Sequence, residues 1–223
     1  MKKKFAAIGL IAGLTMIGIA HADVGVTGQV GTTGASFHVD VPVRSHLSAR
    51  FGTGYIDYSY SDNIASLNYD LKRKLRTVEA LVDWYPFNDS VFRLSGGLVY
   101  NINRIDAFAK SNQAGNYTIQ GNTYSPASAG RIEGKIDYPK VAPYLGIGWG
   151  KADKKKGWSF SVDVGILRQG SPNTSLTSTG CMSPTAMCTQ LASDLAKENA
   201  ALANETRKYK AYPVLRVGLR YQF

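Results

Sequence analysis

The sequence has little of what most catalytic or helical membrane proteins need. Its 223 residues include only three histidines and two cysteines, too few and too scattered for a metal cluster. A phosphate-cradling glycine loop and a nucleic-acid module are missing as well. After residue 20 no apolar run approaches the roughly 18 residues of a membrane-crossing helix, which leaves a soluble exported domain or a membrane β-barrel, whose alternating strands escape hydropathy scans. Acids are scarce too, with 16 Asp and Glu against 26 Lys and Arg.

The single long apolar stretch stands at the N-terminus. MKKKFAAIGLIAGLTMIGIAHA has three lysines, a greasy segment and an Ala-x-Ala exit, the pattern of a cleaved secretory leader over 1–22 followed by one domain over 23–223. Three of the 26 cations leave with the leader while all 16 acids stay, so the exported chain carries a formal charge of +7. Export makes nucleic acid an improbable counter-charge and anionic lipopolysaccharide a better one. In an oxidising compartment Cys181 and Cys188, seven apart in STGCMSPTAMCTQ, are expected to form a local disulfide; a metal site would need further ligands, and that segment has no histidine.

Alternation with period two dominates the remainder. In AYPVLRVGLRYQF the residues Leu215, Val217, Leu219, Tyr221 and Phe223 share one face, while Arg216, Gly218, Arg220 and Gln222 share the other. LSARFGTGY, TVEALVDWY, VFRLSGGLVYNIN, KVAPYLGIGWG and GWSFSVDVGI repeat the pattern. One face is long and apolar with aromatic ends, and the opposite face is rich in glycine and charge, as a barrel with lipid outside and side chains inside requires. Short links (VPVRSH, YPFNDS, GKADKKKG) alternate with long ones. The expectation is an all-β, eight-stranded antiparallel transmembrane barrel with strands near 24–31, 34–42, 45–60, 69–86, 91–108, 131–150, 157–168 and 212–223. Its long extracellular loops include a hairpin in YTIQGNTY and a helix in TQLASDLAKENAALANETRKYK, with Leu191, Leu195 and Leu202 on its packed stripe and charges over the rest.

A lipid-facing arginine near the midplane would cost about 2–4 kcal/mol, so the charged face must line the lumen. That face carries Asp40, Arg50, Glu79, Asp83, Arg93, Asp163, Arg216 and Arg220, with Lys140 a candidate at the outer end. An eight-stranded lumen is just wide enough for its own side chains, so ion pairing is the expected state. Inner-face glycines 52, 54, 97, 146, 148, 165 and 218 leave room for the alternative, a narrow charge-lined path. Lys72, Arg73, Lys74 and Arg76 are expected on an outer rim facing lipopolysaccharide phosphates, and the last strand, closing on Tyr221-Gln222-Phe223, resembles the terminal signal that the outer-membrane assembly machinery reads. Ser36 and His38 lie two residues apart on one strand, about 7 Å by strand rise, which is too far for a nucleophile and its base; His46 falls in a turn. Catalysis, a cofactor and a metal are not expected.

The strands from LSARFGTGYIDYSYS to YPVLRVGLRYQF, with GTTG at 31–34 and APYLGIGWG at 142–150, resemble the CarO-like proteins, described as ornithine-uptake porins or carbapenem-susceptibility proteins, within the wider OmpA/OmpW-like eight-stranded group. That resemblance implies a Gram-negative outer-membrane protein, a monomer, passing or binding small polar solutes such as basic amino acids. The alternative is a structural or surface-interaction barrel with an ion-paired, closed lumen.

Overall fold

The computed structural model describes residues 24–223 apart from 65–66, 89, 113 and 151–155; the expected leader and most of the GKADKKKG turn lie outside the described residues. The chain forms strands β1 (Gly25–Gly31), β2 (Gly34–Arg44), β3 (Leu47–Ile64), β4 (Leu67–Trp84), β5 (Phe92–Asn101), β6 (Arg104–Lys110), β7 (Tyr117–Ile119) and β8 (Asn122–Tyr124). The short helix α1 (Pro126–Ala129), β9 (Arg131–Asp137), β10 (Val141–Trp149), β11 (Gly157–Arg168), β12 (Asn173–Thr179), helix α2 (Thr185–Thr206) and β13 (Ala211–Gln222) follow.

Eight strands close on themselves in the order β4-β3-β2-β1-β13-β11-β10-β5, with β5 returning to β4. All neighbours are antiparallel, including the first and last strands, where Gly25 faces Gln222 and Gly31 faces Arg216. Closure leaves the barrel no open edge. Phe37, Phe51, Val78, Leu98, Leu145, Phe160, Ile166, Leu215 and Leu219 are all exposed on its outside. Around the end that holds Val24 and Phe223 lie Trp84, Phe87, Trp149, Trp158 and Phe223, with Trp158 tilted against Tyr221 and Tyr221 edge-on to Phe223, each at 5.0 Å between ring centroids. Apolar wall and aromatic edge are the reverse of a soluble surface and match a hydrocarbon-facing band.

Two of the expected strands are each broken in two. The 91–108 segment stops at Asn101 and resumes at Arg104, and the 131–150 segment stops at Asp137 and resumes at Val141. β5 pairs with the inner half of β4, Thr77 to Trp84, whereas β6 pairs with its outer half, Asn68 to Lys74. β9 then pairs with β6, and β12 with β9. Beyond the barrel, therefore, the outer halves of β3 and β4 continue with β6, β9 and β12 as one sheet. β12 falls within what the alternation pattern left as a loop, because NTSLTST has one apolar residue and no alternation to read.

This extension has its own core. Ile105 and Ala107 on β6, Ile132 and Ile136 on β9 and Leu176 on β12 pack with Tyr117, Ile119 and Tyr124 of the β7–β8 hairpin and with Leu191, Leu195 and Leu202 of α2. The β6 and β9 residues fall in the same alternation as lumenal Asn101 and Ala142, so helix and hairpin cover the face that continues the barrel interior. One expectation about α2 needs correction: Asp194 and Glu198, expected with the other charges off the leucine stripe, are buried alongside it.

Candidate functional site

The eight expected lumenal charges all lie inside the barrel, none more than 3% exposed. Alternation brings them there, since each falls on the inward position of its strand. Register then decides which meet. Asp163 on β11 accepts from Arg50 Nη1 on β3 at 3.0 Å and from Arg93 Nη2 on β5 at 2.7 Å. Asp83 on β4 takes Arg50 Nη2 at 3.1 Å and lies 3.7 Å from Arg93 Nε. Two arginines and two aspartates thus form a ring of contacts across the lumen. Ser95 donates to Asp83 at 2.5 Å, and Gln29 to Asp163 at 2.6 Å.

A second group sits further toward the capped end. Glu79 is gripped by Arg216 through two bonds of 2.8 and 2.6 Å, and Arg216 Nε donates to Thr33 Oγ1 at 2.8 Å. His38, fully buried, places Nε2 3.3 Å from the same carboxylate. A third pair closes the end near the termini, with Arg220 Nη1 3.8 Å from Asp40 and Thr27 donating to Asp40 at 2.7 Å. Charge-assisted and bidentate bonds of this kind are the strong ones, and burial without them would be prohibitive.

Between and beyond these layers lie Leu81, Val99, Ala142, Tyr144, Leu167 and Val214. The room attributed to the inner glycines is occupied. A Cβ on Gly146 or Gly165 would stand 2.5 or 2.6 Å from Tyr144 Oη, one on Gly52 would strike His38, and one on Gly148 would meet Arg93. These glycines seat large side chains. At the far end a cavity between Thr33, Leu75, Thr77, Leu167 and Tyr212 holds about 20 Å³, enough for one water.

Other expected residues fall elsewhere. Lys140 is exposed and outside the lumen: it precedes β10, where its carbonyl accepts from the amide of Asn101. Ser36 is buried in the lumen and His38 faces Glu79. His46 Nδ1 lies 3.0 Å from the Tyr85 carbonyl in the turn after β2. Lys72, Arg73 and Lys74 sit on the outer half of β4, their side chains outside the described residues; Arg76 is exposed, its guanidinium 5.5 Å from the centre of the Tyr55 ring. The Cys181–Cys188 disulfide is present, tying the segment after β12 to the first turn of α2. Sequence reasoning missed Thr27, Gln29 and Thr33 as members of the lumenal network; Thr27 and Gln29 occupy inward positions of β1 that alternation could have marked, whereas Thr33 lies in the β1–β2 turn, where there is no alternation to read.

In the cap, Tyr124 donates to Asp194 at 2.7 Å, as does Asn122, and Gln120 donates to Glu198 at 2.6 Å. Those bonds from Tyr124 and then Asn122 hold the Asp194 carboxyl below the usual range. Burial, then the bond to Asp194, pushes the Tyr124 phenol up to about 12.

A closed eight-stranded barrel with an apolar outer wall and an ion-paired interior defines an integral membrane barrel, and the comparisons place it in the outer membrane. Crystal structures of CarO2 and CarO from Acinetobacter baumannii match the chain: CarO2 at 25% identity and a TM-score of 0.58, covering 91% of this chain and 99% of its own, and CarO at 24% and 0.57, covering 90% and 98%. A major outer membrane protein from Thermus thermophilus also aligns, at 13% identity and a TM-score of 0.47 over 91% of this chain and 100% of its own. No family model and no curated protein matches the sequence. The chain is an outer-membrane β-barrel protein similar to CarO2 and CarO.

Proposed function

We propose that this protein is a closed-lumen barrel of the outer membrane that serves as an anchor and pedestal for its folded extracellular cap, a structural or surface-interaction role. The Arg50–Asp83–Arg93–Asp163 cluster carries the reading: four buried side chains from β3, β4, β5 and β11 meet inside the wall at contacts of 2.7–3.7 Å. A solute passing that level would have to break several charge-assisted bonds in a poorly solvated space, and the glycine seats beside it are filled.

Single-channel recording in planar bilayers, with arginine, ornithine and neutral amino acids in turn, tests it. The wild-type protein should show no resolved steps and no uptake by loaded liposomes. Discrete steps, or swelling with basic amino acids, would overturn the closed reading and favour passage of small cationic solutes. In the same proposal the protein works as a monomer, Tyr221 and Phe223 serve the assembly machinery from the last strand, and Lys72, Arg73, Lys74 and Arg76 form a basic rim toward lipopolysaccharide.

A further inference from the structure

Lys140, Arg168, Arg207, Lys208 and Lys210 are exposed, and none forms an ion pair with another described residue. Every lumenal arginine, by contrast, is partnered. The three segments that carry them lie side by side. Arg168 ends β11 directly opposite Ala211 of β13, and the amide of Gly170 donates to the Lys210 carbonyl at 3.1 Å. Gly170 also abuts Pro139, the residue before Lys140, so that a Cβ there would stand 3.1 Å from the proline ring. Tyr209, 62% exposed, lies among the cations of the stretch that leaves α2 for β13.

On the same two strands below this cluster the outer wall is hollowed. A groove of about 470 Å³ runs between Val30, Val162, Val164, Leu215 and Val217. It lies where the β1–β2 hairpin turns back at Thr32, so β1 supplies no side chains above Val30. Val164 is four residues along β11 from Arg168, roughly 13 Å by strand rise. A cationic cluster at the water boundary above an apolar furrow on the hydrocarbon face suits one molecule that is anionic at its head and greasy in its tail.

We infer that the β10–β11–β13 side of the barrel is a binding site for a phosphorylated glycolipid of the outer leaflet, its phosphate held by Arg168, Lys208 and Lys210 and one acyl chain laid in the Val164–Leu215 groove. The inference rests on the outer-membrane placement. It concerns a different arc from the β4 rim, whose failure would leave it standing.

Native mass spectrometry of the full chain in detergent, with bis-phosphorylated lipid A and its dephosphorylated form as probes, provides the test. The wild type should retain one phosphorylated lipid and hold the dephosphorylated form at least about tenfold less well. Arg168→Gln/Lys208→Gln/Lys210→Gln should weaken retention about a hundredfold, near fivefold per cation. Val164→Trp, which fills the groove, should weaken it while Lys72→Gln/Arg73→Gln/Lys74→Gln does not. Equal retention of both lipids by the wild type, displacement by millimolar inorganic phosphate, or loss of binding only in the β4 variant would each overturn the assignment. The first two arms use unaltered protein, so a misfolded variant cannot obscure the result.

Discussion

Asp163→Ala tests the lumenal network at its most connected point. The carboxylate accepts from Arg50 at 3.0 Å, Arg93 at 2.7 Å and Gln29 at 2.6 Å, using both oxygens. At an effective dielectric near 20 each charge pair at 3 Å is worth about 5 kcal/mol before desolvation, so two pairs give roughly 10 kcal/mol gross. Desolvation of three buried ions consumes much of that, which is why removing one partner of a buried pair costs about 3–5 kcal/mol. Asp83 survives in the variant, bonded to Arg50 at 3.1 Å and 3.7 Å from Arg93, and keeps the loss within that range. The expected destabilisation is therefore about 3–5 kcal/mol. Asp163→Asn, which retains an acceptor oxygen and loses the charge, should cost less. Urea unfolding in lipid vesicles, followed by tryptophan fluorescence and by heat-dependent migration on gels, measures both. Combining Asp163→Ala with Arg93→Met should recover about 1–3 kcal/mol as coupling. A loss below about 0.5 kcal/mol for Asp163→Ala would place it with ordinary surface substitutions and refute the claim that the cluster is a desolvated plug.

Reduction of Cys181–Cys188, which closes a loop of separation seven, should loosen the cap by roughly 2–3 kcal/mol and expose α2 to protease while leaving the barrel's gel migration unchanged. Asp194 has a depressed pKa, so its contribution to docking the β7–β8 hairpin is present at neutral pH and lost as pH falls through its folded value; Tyr124, raised to about 12, favours docking below 10 and loses that contribution as pH rises toward 12. Amide protection at 117–124, measured relative to the intrinsic exchange rate at each pH, should accordingly be highest between those limits, and protection that does not fall as the Asp194 carboxylate is protonated would contradict the lock. Gly165→Ala should destabilise the barrel by about 1–3 kcal/mol, since the new Cβ meets Tyr144 Oη at 2.6 Å and the Leu145 carbonyl at 2.7 Å; an unchanged urea midpoint would mean that Tyr144 has somewhere else to go. Spin labels at Val162 and Leu219 should report oxygen-rich acyl chains rather than water, and water-like accessibility at both would dismiss the membrane assignment.

Which residues face inward was legible because a barrel strand has two solvents, lipid and lumen, and period two separates them without ambiguity. Which of them touch was not. Asp163 and Arg50 are 113 positions apart, and their meeting depends on the stagger of strands that lie several places apart in the sheet. The breaks at Ile102–Asn103 and Tyr138–Lys140 were hidden for a different reason: alternation continues through them, and the amide of Ile102 still bonds to the Arg76 carbonyl at 2.9 Å. In α2 the leucine stripe was readable from helical spacing. Burial of Asp194 and Glu198 was not, because the Tyr124, Asn122 and Gln120 groups that satisfy them come from a hairpin about seventy residues earlier.

Strand length explains why this barrel carries both a cap and a sealed β1–β2 hairpin. β3 and β4 each have 18 residues, roughly 60 Å at strand rise, about twice the thickness of bilayer hydrocarbon. β1 and β2 stop at Gly31 and Gly34, and β2 pairs with β3 no further than Tyr55. The wall is consequently tall on the β3–β12 side and low at the β1–β2 hairpin, and an empty lumen would open sideways at Thr32. The hairpin is instead sewn to the last strand: the Thr32 amide donates to Leu215 O at 2.9 Å, its hydroxyl to Pro213 O at 3.0 Å, and Tyr212 donates to Thr32 O at 2.6 Å. Directly beneath, Arg216 clamps Glu79 and Thr33. The tall side has the opposite difficulty, a sheet beyond the membrane with one apolar face, which α2 and the β7–β8 hairpin cover. An uneven rim thus requires sealing at its low point and covering at its high one, and the same register that raises one side of the wall creates both requirements.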